Sequence, residues 1–189
     1  MRRREYGQGR GVKRVSRWAL LVIDMLNDFV TAGGALNCGP AAGAVIPAVA
    51  AQVERARRAG APVIFACDRH RKDDSEFQMF PPHCIEGTPG AEVCAGLERR
   101  PDDVIVPKRR FSAFYGTALD HDLRELGVDE LVLVGVCTNI CVLYTASDAR
   151  MRNYRVTVPK DAVATFDPEA GAWALRQMEK VLGVNVTGG

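Results

Sequence analysis

No stretch of this 189-residue chain stays apolar for as long as a membrane-crossing helix requires. The run Trp18–Ile23 covers six residues before Asp24 interrupts it, whereas a membrane-crossing helix needs about 20 apolar residues. The same shortness argues against a secretory leader, whose apolar core runs about 7–15 residues and ends at a small-residue cleavage site. Nor is there a C-x-x-C pair among the six cysteines, at 38, 67, 84, 94, 137 and 141. A chain of this length builds a core without covalent staples, so the sequence predicts reduced thiols in a cytoplasmic protein. Internal repeats are absent, and so is a basic body. The net charge is +2, but residues 1–17 carry seven basic side chains and one acid, which leaves the remainder at about −4. A slightly acidic body gives no electrostatic reason to expect nucleic acid as a partner. The basic residues 1–17 read as a flexible, solvated tail, and residues 18–189 as one domain.

What is present is a chain that is 47% hydrophobic and 25% charged, with a strong alternation of strand and helix signals. Trp18–Ile23, Pro62–Cys67, Val104–Pro107, Leu131–Val136, Arg155–Val158 and Val184–Val186 read as strands. Between them, residues 41–59, 118–126, 138–151 and 168–182 read as helices, with Gly60 and Gly127 as stops. Residues 69–90 carry no period, and an irregular segment of that length inside a compact domain suggests a binding loop. The alternation predicts a three-layer α/β/α fold with a mostly parallel sheet and helices on both faces.

In such sheets ligands bind outside the carboxyl ends of the strands. Asp24 follows the first strand, Asp68 and His70 the second, Lys108 the third, and Cys137-Thr-Asn-Ile-Cys141 the fourth. A carboxylate, a lysine and a cysteine at one edge have the makings of an activated thiol: the carboxylate takes the proton and the lysine stabilises the thiolate. Cys141, in the first turn of the following helix, is favoured over Cys137 because free backbone N–H groups there offer an oxyanion hole. The same residues would also suit a buried core cysteine and a turn-forming Asp. The loop adds a second group, Asp68, His70, Glu76 and His83, whose imidazoles and carboxylates suit a divalent transition metal facing a substrate.

The segments LVIDMLNDF (21–29), CDRHRKDDSEFQMFPPHCIEGTPG (67–90), Lys108–Tyr115 and GVCTNICV (135–142), in this order and spacing, resemble the isochorismatase-like cysteine hydrolases, and among them the nicotinamidases or pyrazinamidases. The similarity runs from about Trp18 to the C-terminus. It implies Asp24 as base, Lys108 as catalytic lysine and Cys141 as nucleophile, with the backbone N–H groups of Cys137 and Cys141 as oxyanion hole and a cis peptide at Val136–Cys137. It further implies Asp68, His70 and His83 as metal ligands, with Glu76 at a fourth position for which Asp73 or Asp74 are alternatives. Phe29, Phe80 and Tyr115 are the implied walls of the substrate pocket. The implied cofactor is a divalent metal, zinc first, with iron or manganese as alternatives. The implied activity is hydrolysis of nicotinamide to nicotinic acid and ammonia through a cysteine thioester, in NAD salvage. A homo-oligomer is expected, with a small aromatic amide as partner and neither nucleic acid nor membrane. The alternatives are hydrolysis of another amide, a carbamoyl group or a vinyl ether, and a non-catalytic domain that keeps the fold.

Overall fold

The computed structural model describes residues 17–188. The predicted tail therefore lies outside the described residues except for Arg17, whose carbonyl accepts from the Asp129 N–H at 2.9 Å. Seven strands form one sheet: β1 (Trp18–Ile23), β2 (Val63–Asp68), β3 (Val104–Lys108), β4 (Glu130–Val136), β5 (Arg155–Pro159), β6 (Val163–Ala164) and β7 (Asn185–Thr187). The order is β3-β2-β1-β4-β5-β7, with β6 also pairing with β4, and every pairing is parallel. The helices are α1 (Asn27–Val30), α2 (Pro40–Ala44), α3 (Ile46–Arg58), α4 (Leu119–Glu125), α5 (Leu143–Met151) and α6 (Pro168–Lys180).

Side chains alternate along β1, so its residues feed two cores. Leu21 and Ile23 join Leu131, Leu133, Leu123 of α4, Ala146 of α5 and Met178 of α6 on one face. Leu20 and Val22 join Val63, Phe65, Val132, Val134 and the Val49–Val53–Ala56 stripe of α3 on the other. A sheet buried on both faces explains why β1 and β4 are nearly unbroken apolar runs. Among the described residues, no helix is long and apolar enough to cross a membrane.

The predicted 41–59 helix is two helices that break at Val45. Pro47 is the cause: it has no N–H to give to the carbonyl four residues earlier, and its ring crowds that carbonyl. The predicted 138–151 helix opens as a wide π-type turn, Thr138–Val142, in which the Val142 N–H reaches the Cys137 carbonyl at 3.2 Å. Two short elements, α1 and β6, were not anticipated, being only four and two residues long.

The chain leaves β1 towards β2 and β3 on one side, then returns to place β4 on the other. The β1/β4 boundary is thus the topological switch point, where a crevice opens at the strand ends. Two backbone features shape it. Asp24 sits in the left-handed region at φ +51°, an uncommon conformation for a non-glycine residue and typical of functional turns. Gly135 has φ +114°, and a Cβ there would lie 2.0 Å from the Ile23 carbonyl oxygen, so only glycine lets β4 approach β1 this closely. The Val136–Cys137 peptide is cis.

Candidate active site

Four parallel strands end at one place and deliver Asp24, Asp68, Lys108 and Cys137 there, with Cys141 following in the π-type turn. The Lys108 ammonium lies at the centre. Its Nζ is 2.7 Å from Asp24 Oδ2, donates to Asp68 Oδ1 at 2.7 Å, and lies 3.6 Å from Cys141 Sγ. Asp24 is held from behind by the Asp68 N–H, which donates to its Oδ1 at 2.9 Å.

All four side chains are buried, so their protonation depends on one another. Burial works against the Lys108 charge, but Asp24, Asp68 and Cys141 overcome it and hold the ammonium protonated well above its ordinary range. Burial, with Asp68 close by, pushes Asp24 up to about 6, while Lys108 and the Cys141 thiol pull it back. That value is near the working range of a general base at neutral pH. Asp68 is held low: burial would raise it, but Lys108 and His70 prevail. The Cys141 thiol is pushed well up by burial and by both carboxylates, with Lys108 opposing. The resting proton therefore sits on sulfur, next to a carboxylate able to take it.

Beside this cluster, Asp68, His70 and His83 each present a ligand atom, all within 4.8 Å of one another. The His70 Nδ1 faces Asp74 Oδ2 at 3.1 Å, and the His83 Nδ1 faces the Pro81 carbonyl at 2.7 Å. Both oxygens are acceptors, so each Nδ1 carries a proton and Nε2 is the atom each ring can offer a cation. Burial works against the His70 charge but Asp68 and Asp74 raise its pKa above the ordinary range, whereas burial keeps His83 below its ordinary range. Those two Nε2 atoms point at Asp68 Oδ2, from 3.5 and 3.9 Å. With both Nε2 atoms deprotonated, these three donor atoms converge on one point where a cation would join them. The buried His70 Nε2 has no hydrogen-bond partner, as such a site requires. The residues therefore fit a divalent ion, with the carboxylate–histidine pairing common behind metal ligands.

Glu76 is buried at the edge of this group, with Oε1 3.9 Å from His70 Nε2 and Oε2 3.8 Å from Arg110 Nη1 without a hydrogen bond. Burial and Asp68 raise its carboxyl above the ordinary range. The two alternatives for the fourth position fall elsewhere: Asp73 is exposed and pairs with Arg71, and Asp74 is behind His70. Asp74 also accepts from the Glu76 N–H and from Arg110, so it orients the loop. Its role was hidden in sequence because an acid in an aperiodic loop carries no directional signal.

The pocket above these groups is lined by Phe29, Phe80 and Phe111, with Leu36, Cys38, Cys137, Ile140 and Phe166. It opens to solvent, and the space within it and its mouth totals about 410 Å³. Phe80 stands edge-on to Phe111 and His83, at centroid distances of 6.3 and 6.4 Å. Tyr115 corrects the sequence expectation: it is 66% exposed and lines a separate hollow with Tyr144 and Met151. The chain turns outward after Ser112, whose carbonyl accepts from the Tyr115 N–H. Phe111, three residues beyond Lys108, supplies the wall instead. Strand alternation could not reveal this, because β3 ends at Lys108.

Residues 18–188 match the isochorismatase domain family. The crystal structure of nicotinamidase PncA from Bacillus subtilis superposes with a TM-score of 0.87 and 37% identity, covering 91% of this chain and 99% of that one. The pyrazinamidase of Pyrococcus horikoshii in complex with zinc gives 0.85 and 34%, over 90% and 98% of the two chains. The N-carbamoylsarcosine amidase of Thermoplasma acidophilum gives 0.82 and 37%, over 90% and 95%. The parallel sheet, the crevice at its switch point and these similarities agree: this chain belongs to the isochorismatase family of hydrolases.

Proposed function

We propose that this protein hydrolyses the carboxamide of a small aromatic amide of the nicotinamide type, releasing ammonia and the carboxylic acid through a thioester on Cys141. The observation that carries this reading is the buried cluster in which Lys108 Nζ lies 2.7 Å from both Asp24 and Asp68 and 3.6 Å from Cys141 Sγ, beneath a pocket walled by aromatic rings. Asp24 takes the Cys141 proton, and the thiolate attacks the amide carbon. The backbone N–H groups of Cys137 and Cys141 hold the oxyanion. When the C–N bond breaks, Asp24 returns its proton to nitrogen and ammonia leaves. A water then gives a proton to Asp24 and its oxygen to the thioester carbon, which frees the acid and the Cys141 thiolate. That thiolate recovers the proton from Asp24.

Lys108, itself buried, keeps the carboxylate and the developing thiolate charged. Phe29, Phe80 and Phe111 hold the ring flat against the thiol and restrict the pocket to planar substrates. Asp68, His70 and His83, with Glu76 alongside, would hold a divalent ion, zinc first, that when bound fixes the substrate's ring nitrogen and so aims its carboxamide. The zinc complex of the P. horikoshii pyrazinamidase supports that choice.

The likeness to an N-carbamoylsarcosine amidase favours a carbamoyl amine as the second reading. Ammonia release from nicotinamide, pyrazinamide and N-carbamoylsarcosine separates the two. The aromatic amides should turn over and lose activity with chelator and with Cys141→Ala. Turnover of the carbamoyl substrate alone, unaffected by chelator and by His83→Ala, would favour the second reading.

A further inference from the structure

Three thiols meet at the pocket, and the thioester chemistry uses one. The other two touch. Cys38 lies between α1 and α2, where its N–H donates to the Phe29 carbonyl at 2.8 Å. Cys137 lies at the end of β4. Although 99 residues apart in sequence, their sulfur atoms approach to 3.0 Å, and both side chains form the pocket wall. Each is largely buried, at 1% and 7% exposure, so what reaches them must be small enough to enter through the pocket.

We propose that Cys38 and Cys137 are an oxidisable dithiol that a small hydroperoxide converts to a disulfide. The Cys38 sulfur, giving up its proton, attacks the terminal peroxide oxygen; the O–O bond breaks, the departing oxygen takes that proton and leaves as an alcohol or water, and Cys38 becomes a sulfenic acid. The Cys137 sulfur then attacks that sulfur; the S–S bond forms, and the hydroxyl departs as water with the Cys137 proton. Two thiols lose two electrons in all, and one peroxide is reduced. The second step is intramolecular and starts from near contact, so it outruns further oxidation of Cys38. A small dithiol reductant reverses the bond.

The bridge would tie the segment before α2 to the residue whose N–H is assigned to the oxyanion. Oxidised protein should therefore turn over more slowly and recover on reduction. The thiol chemistry is independent of the substrate proposed above, whereas this loss of turnover rests on it, so the two are measured separately.

The test treats full-length Cys141→Ala protein with hydrogen peroxide, blocks remaining thiols under denaturing conditions, and digests without reductant. The expected result is a peptide joining Cys38 to Cys137, an intact mass lower by two hydrogens, and two fewer alkylatable thiols, all reversed by dithiothreitol. Cys38→Ser should abolish the linked peptide. In the native sequence the thiol count and the linked peptide can be read without any variant, should that substitution fail to fold. For turnover, a dithiothreitol-recoverable loss of ammonia release is expected in the native protein and not in Cys38→Ser. Peroxide that oxidises other thiols while Cys38 and Cys137 both remain alkylatable would overturn the proposal, whether or not nicotinamide is a substrate.

Discussion

Lys108→Met would keep most of a buried stem and remove the one charge that holds two buried carboxylates together. The side chains of Lys108, Asp24 and Asp68 are 0%, 1% and 5% exposed, and both N–O distances are 2.7 Å. At an effective dielectric of about 20, each contact is a gross attraction of about 6 kcal/mol, much of it offset by desolvation. Breaking a buried pair by removing one partner typically costs about 3–5 kcal/mol, which sets the expected loss of stability at neutral pH. The variant can relieve the strain by protonating a carboxylate, and Asp24 is the candidate because burial and Asp68 already lift it to about 6. A carboxyl raised in the folded state binds a proton there that it releases in the unfolded chain. Its contribution is therefore full below the unfolded pKa of about 4 and is lost as pH rises through the folded pKa, with a slope of about 1.4 kcal/mol per pH unit. In the variant this decline should extend to higher pH than in the native protein. Urea unfolding of chelator-treated protein at about pH 5 and about pH 8 reads both effects. A variant within about 1 kcal/mol of the native protein at neutral pH, or one that gains stability with rising pH, would refute the reasoning.

Asp74→Asn leaves the His70 Nδ1 with a weaker partner, so the affinity for zinc in chelator competition should fall about 10–100-fold with the fold intact. Phe111→Ala removes a pocket wall and should raise KM for nicotinamide roughly tenfold, whereas Tyr115→Ala should leave KM unchanged; equal effects would contradict the reassignment. Gly135→Ala drives a methyl into the Ile23 carbonyl at 2.0 Å and should lose about 2–4 kcal/mol in denaturant unfolding or fail to fold.

The strand ends were legible in the sequence because the buried sheet forces continuous apolar runs, and a polar residue that terminates such a run is placed at the crevice by topology alone. That is how Asp24, Asp68 and Lys108 could be named together. The choice between Cys137 and Cys141 was not settled by geometry, since the intervening residues form a π-type turn rather than a regular first turn of helix. The pocket walls were the least legible part. Phe111 and Tyr115 share an irregular segment after β3, where no period tells inward from outward, and Cys38 reaches Cys137 only through tertiary packing. Asp74 supports His70 across a loop turn, a contact invisible to any spacing rule for helices or strands.

Interception with hydroxylamine distinguishes a Cys141 thioester from direct attack by water on the amide. With nicotinamide as substrate, the native protein should divert part of its product to nicotinohydroxamic acid, and Cys141→Ala should yield neither hydroxamate nor ammonia. Ammonia release by Cys141→Ala at the native rate, with no hydroxamate formed by either protein, would contradict the thiol mechanism.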